Sequence, residues 1–160
     1  MTKYQELEGH LKDHIDGCHG EWVGKKSGYE AGLCSVLGLT LSKNRYEDAT
    51  WRACSIELKK GKGIWLDLVR YAELLENSEL GREASITLFC IPANDKRVLS
   101  IGEILGVPTA TLLGHLNLRP EHVRLLRELR AHLPRSLNAQ ASLTVSDVRA
   151  LAMFQVRPSP

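Results

Sequence analysis

The chain has 160 residues, of which 43% are hydrophobic and 25% are charged, and its formal net charge is +2. That length supplies one ordinary hydrophobic core, and no apolar run reaches the ~20 residues that a membrane-spanning helix needs. The polar, charged start excludes a secretory signal, and the four cysteines, which form no CxxC pair, suit reduced thiols. We therefore expect a single domain over residues 1–160 of an intracellular protein, cytoplasmic, nucleoid-associated or nuclear, with no membrane partner.

The positive charge is concentrated in two segments. Residues 23–62 contain eight basic and four acidic side chains, and residues 119–157 contain seven arginines and three acids. Two basic segments in a nearly neutral chain are typical of a surface that binds a polyanion such as DNA. Solvated helix faces give the same counts, so the charge pattern alone leaves both interpretations open.

Hydrophobic spacing predicts the elements of the first half. Apolar residues at helical spacing predict a helix over residues 2–16, and a second helix is expected over residues 27–37. A short strand and a turn follow over residues 39–45. Residues 46–51 and 52–60 are then expected to fold back on each other, because the second piece alternates as a strand does.

The second half is predicted to be mostly helical. We expect a helix over residues 64–76, strands over residues 84–91 and 97–101, and residues 104–107 either extending the last strand or turning away. Three further helices are predicted, over residues 109–116, 120–133 and 145–154. The fold class is thus α/β, with a small mixed central sheet flanked by helices and a C-terminal helical extension over residues 109–157.

One tripeptide carries candidate chemistry. In Glu57-Leu58-Lys59 the acid and the amine point to the same face of the predicted strand, while the flanking apolar residues point toward the core. A carboxylate there can hold a hard divalent cation, and the Leu58 carbonyl offers another oxygen ligand. The Lys59 ammonium can lie beside an attacking water or stabilise developing negative charge.

Two further acids can complete such a site. Asp48 lies nine positions before Glu57, and a tight turn near residues 50–52 brings the two carboxylates to one end of a hairpin. Glu30 lies on the preceding predicted helix. Acids from a helix and two strand segments, with a lysine, suit one or two Mg²⁺ ions, which Mn²⁺ can replace, and such a centre activates water and binds a scissile phosphate.

These residues resemble the PD-(D/E)xK nucleases, also called restriction-endonuclease-like. The resemblance covers about residues 27–101, from the helix of Glu30 through Asp48 and Glu57-Leu58-Lys59 to the strand that starts near Ala84. It implies a core of helix, three-stranded meander, helix and strand. It also implies that Asp48 and Glu57 are metal ligands, that Lys59 serves the nucleophilic water and that Glu30 is an accessory ligand. Glu47 stands where the family has proline, which leaves open whether Glu47 or Asp48 faces the metal.

The resemblance implies a Mg²⁺-dependent endonuclease that cleaves double-stranded DNA and leaves a 5′ phosphate, of the restriction or homing type and acting as a homodimer. A Holliday-junction resolvase of the same fold and a non-catalytic DNA-binding or regulatory domain are the alternatives. In the last of these, the C-terminal helices act and the acids are structural. For the residues themselves, the alternatives are that Glu57 and Lys59 form an ordinary solvent-facing strand pair and that Glu30 is an exposed helix residue. The predicted DNA contacts are Lys25, Lys26, Lys43, Arg45, Lys60, Lys62, Arg124 and Arg127.

Overall fold

The structure is a computed structural model. It describes residues 2–17, 29–43, 47–77, 84–93, 101–132 and 140–160. The helices in these ranges are α1 (Lys3–His14), α2 (Tyr29–Leu37), α3 (Leu68–Asn77), α4 (Thr109–His115), α5 (Pro120–His132) and α6 (Val145–Leu151), with a 3-10 turn over Ile15–Gly17. The strands are β1 (Thr40–Leu41), β2 (Ala49–Trp51), β3 (Cys54–Lys60), β4 (Ile64–Asp67), β5 (Ala84–Pro92), β6 (Ile101–Pro108), β7 (Gln140–Leu143) and β8 (Phe154–Val156).

The strands form a mixed sheet and a small ribbon, so the α/β class is confirmed. Six strands lie in the order β1-β2-β3-β5-β6-β8, and β4 pairs with β7 in a separate antiparallel sheet. Within the large sheet only β3 and β5 are parallel, and the other neighbours are antiparallel. The parallel pair requires a crossover, and α3 lies in the connection between its two strands.

The expected hairpin is present and sets the register of the site. β2 and β3 pair antiparallel with Ala49 opposite Ile56 and Trp51 opposite Cys54, so that Arg52 and Ala53 form the turn. Arg52 has a φ of 51°, in the left-handed region that residues with a side chain adopt infrequently. Asp48 precedes Ala49 and Glu57 follows Ile56, so this register brings Asp48 and Glu57 opposite each other at the end of the hairpin away from the turn.

Two apolar clusters cover the two faces of the sheet. The first packs α1 and α2 against side chains such as Ile56 and Leu88. The second includes residues of α3, α4 and α6 together with Phe89 and Val107. Strand β3 is buried on both faces from Cys54 to Leu58, as a central strand should be, and its Glu57 lies on the face of the second cluster.

The helix predicted over residues 64–76 is wrong at its start. Ile64–Asp67 is strand β4, paired with β7, and the helix begins at Leu68. Asp67 fixes this boundary because its Oδ1 accepts the backbone N–H groups of Val69 and Arg70, as helix-capping acids do. The correction places Arg70 in the first turn of α3.

The C-terminal segment is more than helical. α4 and α5 agree with the helices predicted over residues 109–116 and 120–133. The helix predicted over residues 145–154 is wrong at its end, because α6 ends at Leu151 and Phe154 begins β8. Residues 109–157 thus also supply β7 to the ribbon and β8 to the edge of the large sheet. Residues 104–107 continue strand β6. The strand predicted at 97–101 lies outside the described residues except for Ile101, which begins β6.

Candidate active site

Asp48 lies at the end of the β2–β3 hairpin, beside the strand that carries Glu57. Its backbone N–H donates to the Ile56 carbonyl at 3.1 Å, and its Oδ2 accepts the Leu58 N–H at 2.8 Å. Glu47 instead has its Oε1 bonded to the Ser42 hydroxyl at 3.0 Å. Successive side chains of an extended segment point in opposite directions, so Asp48 is the acid that reaches the Glu57 face.

Arg70 of α3 joins the two carboxylates. Its Nε donates to both Glu57 oxygens at 3.0 Å, and its Nη2 donates to Asp48 Oδ1 at 3.0 Å. The side chain of Glu57 is 4% exposed, that of Asp48 16% and that of Arg70 28%. The acids predicted to converge on a cation therefore do converge, and the positive group between them belongs to the chain itself.

Asp48, Glu57 and Arg70 form a cluster of two acids and one guanidinium, and the electrostatics of this cluster favour the presence of a positive charge between the acids. Burial, and then the negative charge of Asp48, raise the pKa of Glu57 to about 7, while Arg70 and Lys59 oppose that rise. The hydrogen bond and charge of Glu57 outweigh burial and raise the pKa of Arg70, which stays protonated. With both acids ionised, one guanidinium leaves the cluster with one uncompensated negative charge.

Lys59 lies close enough to Glu57 to act on it electrically. It is half-buried on β3, and its positive charge lowers the pKa of Glu57 against the effect of burial. Among the described contacts the ion pair of Glu57 is with Arg70, and Lys59 affects Glu57 through its charge without an ion pair to it.

Tyr29 lies at the start of α2, next to Glu30, which is half-buried and makes no ion pair with Asp48 or Glu57 among the described contacts. The Tyr29 hydroxyl donates to the Leu58 carbonyl at 3.4 Å, and the Lys60 ammonium lies 4.8 Å from the centre of the Tyr29 ring. Burial, followed by the charges of Glu30 and the two strand acids, raises the pKa of Tyr29 well above its ordinary value. The Leu58 carbonyl, predicted as a metal ligand, is thus bonded to a tyrosine.

Sequence reasoning missed Arg70 and Tyr29. Arg70 lies thirteen residues after Glu57, in a helix whose predicted start was too early, and nothing in the local pattern distinguishes it from a solvated basic residue. Tyr29 is next to Glu30 at the start of its helix, and an aromatic residue beside a candidate acid was the available signal. Both depend on how a helix lies over the sheet, which periodicity does not give.

The predicted DNA contacts are dispersed over the structure. Lys60 is half-buried beside Tyr29, whereas Lys43 and Lys62 are exposed. The exposed pair Arg124 and Arg127 lies on α5, which packs on α3. The remaining three fall outside the described residues: Lys25, Lys26 and Arg45.

The donor chemistry of Asp48 and Glu57 fits a hard divalent ion, with one condition. Two convergent carboxylates already hold a cation, the Arg70 guanidinium, and Mg²⁺ is commonly bound by one or two carboxylates and several waters. Among the described residues no group of three or more His, Cys, Asp or Glu side chains is arranged to hold a metal. The condition is that Arg70 releases the acids.

Comparisons with protein-family models, with curated proteins and with solved structures find no match to the chain. Within the described ranges, no helix is both long enough and apolar enough to cross a membrane.

Proposed function

We propose that this chain is a Mg²⁺-dependent endonuclease that hydrolyses phosphodiester bonds in double-stranded DNA. The observation that carries the proposal is the convergence of Asp48 and Glu57 on one positive group, with Lys59 two residues further along the same strand. Buried acids and amines are costly, and their clustering at the open end of a hairpin is typical of a site that binds or acts.

The order of elements supports a restriction-endonuclease-like core. Helix α2 is followed by the antiparallel meander β1-β2-β3, then by β4, by α3 and by β5, which lies parallel to β3. Apart from β4, which pairs with β7 outside the large sheet, this order is compatible with the helix, three strands, helix and strand that the sequence resemblance implies. Glu30 lies on α2, Asp48 directly before β2, and Glu57 and Lys59 on β3, which supports the proposal.

Each residue has a distinct role in the proposed reaction. Asp48 and Glu57 would hold the ion, which when bound polarises the phosphodiester and activates the attacking water. Lys59 holds a positive charge beside Glu57, where it stabilises the negative charge that develops on the phosphate and assists proton removal from water. Glu30, which acts electrostatically on Tyr29 as Asp48 and Glu57 also do, is proposed as the accessory acid.

The remaining surface is proposed to bind the DNA backbone. Lys60 lies next to Tyr29 at the site, and Lys43 and Lys62 are exposed nearby in sequence, so they are suited to phosphate contacts. Arg124 and Arg127 on α5 add a second basic surface. A homodimer that acts inside the cell on a two-fold restriction or homing site follows as a further part of the proposal.

Cleavage of supercoiled plasmid tests the proposal. The purified chain is incubated with Mg²⁺, Mn²⁺ or Ca²⁺, beside Lys59→Ala and Asp48→Asn. We expect nicking with Mg²⁺ or Mn²⁺, DNA binding without cleavage in Ca²⁺, and a loss of about 10²-fold or more in rate for each variant. Lys12→Ala and Asp13→Asn, which change the same residue types on exposed positions of α1, serve as matched controls and should keep the full rate.

The result also separates the alternatives. Faster cleavage of a four-way junction than of plasmid would favour a Holliday-junction resolvase. The Asp48–Arg70–Glu57 cluster gives a specific reason to consider a non-catalytic DNA-binding domain, because an arginine is already bonded to both acids. Salt-sensitive DNA binding without cleavage, unchanged in the Lys59 and Asp48 variants, would favour that function and contradict the nuclease.

A further inference from the structure

The oxygens that a metal would use are all engaged by donors of the chain. Both Glu57 oxygens accept from Arg70 Nε, Asp48 Oδ1 accepts from Arg70 Nη2 and Asp48 Oδ2 accepts from the Leu58 N–H, at 2.8 to 3.0 Å. Three of the four oxygens are therefore bonded to a single guanidinium.

A divalent ion and this guanidinium exclude each other. Carboxylate oxygens bind Mg²⁺ at about 2.1 Å and Ca²⁺ at about 2.3–2.6 Å, so an ion shared by Asp48 and Glu57 would occupy the space between them. That space holds the Arg70 nitrogens. Two positive groups in contact within a partly desolvated site repel strongly, because the local dielectric is lower than that of water.

Arg70 is placed so that it can leave. It lies in the first turn of α3, beside the capping Asp67, and its side chain is more exposed than either acid that it binds. A long, flexible side chain at the outer edge of a cluster can swing toward solvent while the two acids stay fixed by the β2–β3 register.

We propose that Arg70 is an internal counter-ion that competes with the metal for Asp48 and Glu57. Arg70 holds the acids together in the metal-free chain, and a divalent ion binds only when Arg70 has been displaced, so the measured metal affinity contains the cost of displacement. The inference rests on the proposed function, since it concerns the metal site of that nuclease. It makes Arg70 a regulatory residue of the site, distinct from the groups that hold the ion.

Calcium titration tests the competition without any cleavage reaction. Isothermal titration with Ca²⁺ at pH 8.5 compares the wild-type chain with Arg70→Gln and Arg70→Lys. We expect Arg70→Gln to bind Ca²⁺ at least about tenfold more tightly than wild type, because the competing charge is gone. Arg70→Lys should fall between them, since it keeps the charge and loses the fork that engages two carboxylates.

Arg149→Gln is the matched control. Arg149 of α6 also pairs with a buried glutamate, Glu103, which lies on strand β6 and not in the candidate site. The Ca²⁺ affinity of Arg149→Gln should equal that of wild type. Asp48→Asn should abolish Ca²⁺ binding both in the wild-type chain and in the Arg70→Gln variant. Circular dichroism checks that each variant is folded, and Arg70→Lys alone tests the inference if Arg70→Gln does not fold.

The outcomes distinguish this inference from the proposed function. Equal or weaker Ca²⁺ affinity in the Arg70 variants, with wild-type binding that depends on Asp48, overturns the competition and leaves the metal site standing. Failure of both wild type and the Arg70 variants to bind Ca²⁺ at millimolar concentration overturns the inference and the metal-dependent function together. Tighter Ca²⁺ binding by the Arg70 variants than by wild type and Arg149→Gln supports the competition.

Discussion

Two buried glutamates paired with arginines should respond to pH in opposite directions. Burial and the neighbouring Asp48 raise the pKa of Glu57 to about 7, despite Arg70. At Glu103, hydrogen bonds from Arg149 and Gln155 overcome burial and lower the pKa. We predict that the titration of Glu57 makes the wild-type chain less stable as the pH rises from 5 to 8, and that Glu57→Gln lacks this contribution.

The sign follows from proton linkage. Between the ordinary pKa of 4.5 and the folded value of about 7, Glu57 holds a proton in the folded chain and has lost it in the unfolded chain. Stability therefore falls as the pH rises through this window. At ~1.36 kcal/mol per pKa unit the full effect is about 3 kcal/mol, most of it between pH 5 and 8. Glu103 behaves conversely: its contribution is present above the unfolded pKa and is lost as the pH falls through its lower folded value.

Urea unfolding in the presence of EDTA measures this effect. The free energy of unfolding of wild type minus that of Glu57→Gln is compared at pH 5 and pH 8, so that histidine titration common to both chains cancels. From pH 5 to pH 8 this difference should fall by about 2–3 kcal/mol, so that wild type loses stability relative to Glu57→Gln, and the urea m-value should stay constant. The corresponding difference for Glu103→Gln should change only below pH 5, with wild type losing stability. A wild-type chain that gains stability over Glu57→Gln between pH 5 and 8 would refute the reasoning, since it would mean that Arg70 outweighs burial.

Two further predictions concern packing and thiol chemistry. A Cβ at Gly106 would collide with the ring of Phe154, so Gly106→Ala should lower the free energy of unfolding by about 1–3 kcal/mol in urea. Adding Phe154→Leu should recover part of that loss, and a Gly106→Ala chain as stable as wild type would contradict the overlap. Burial raises the pKa of Cys34 from 9.0 to about 11 and that of Cys54 from 9.0 to about 12. At pH 8, in a Cys18→Ser background, we therefore expect both thiols to react with a disulfide reagent at least about 100-fold more slowly in the native chain than in the unfolded one, with Cys54 the slower of the two. Rapid titration of these native thiols would show that they are accessible.

Local patterns in the sequence were sufficient for the hairpin and the acids on it. The alternation of Glu57 and Lys59 with Ile56 and Leu58 identifies a strand and its two faces, and the spacing to Asp48 allows one register in which the carboxylates meet. Both are short-range properties of an extended chain, so the structure reproduces them closely.

The cation between the acids could not be predicted in the same way. Arg70 reaches them because α3 crosses over the sheet in the β3–β5 connection, and this long-range packing leaves no local signature. The boundary at Asp67 was also misassigned, because Ile64–Asp67 has apolar residues that suit either a helix or a strand and only pairing with β7 decides between them. Tertiary pairing thus determined the elements for which periodicity was ambiguous.

The placement of Arg70 bears on how the proposed site can exist without its metal. Two carboxylates brought together on a buried strand end would oppose folding unless a positive charge compensated them, and removing one partner from a buried ion cluster costs about 3–5 kcal/mol. A site that relied on a divalent ion alone would make folding depend on metal concentration. Arg70 supplies that charge from within the chain, so the β2–β3 hairpin can form with its acids in place before any ion arrives. If the proposed metal site exists, the same contact that stabilises the metal-free fold would weaken metal binding, and this trade-off would account for an arginine that competes with the cation.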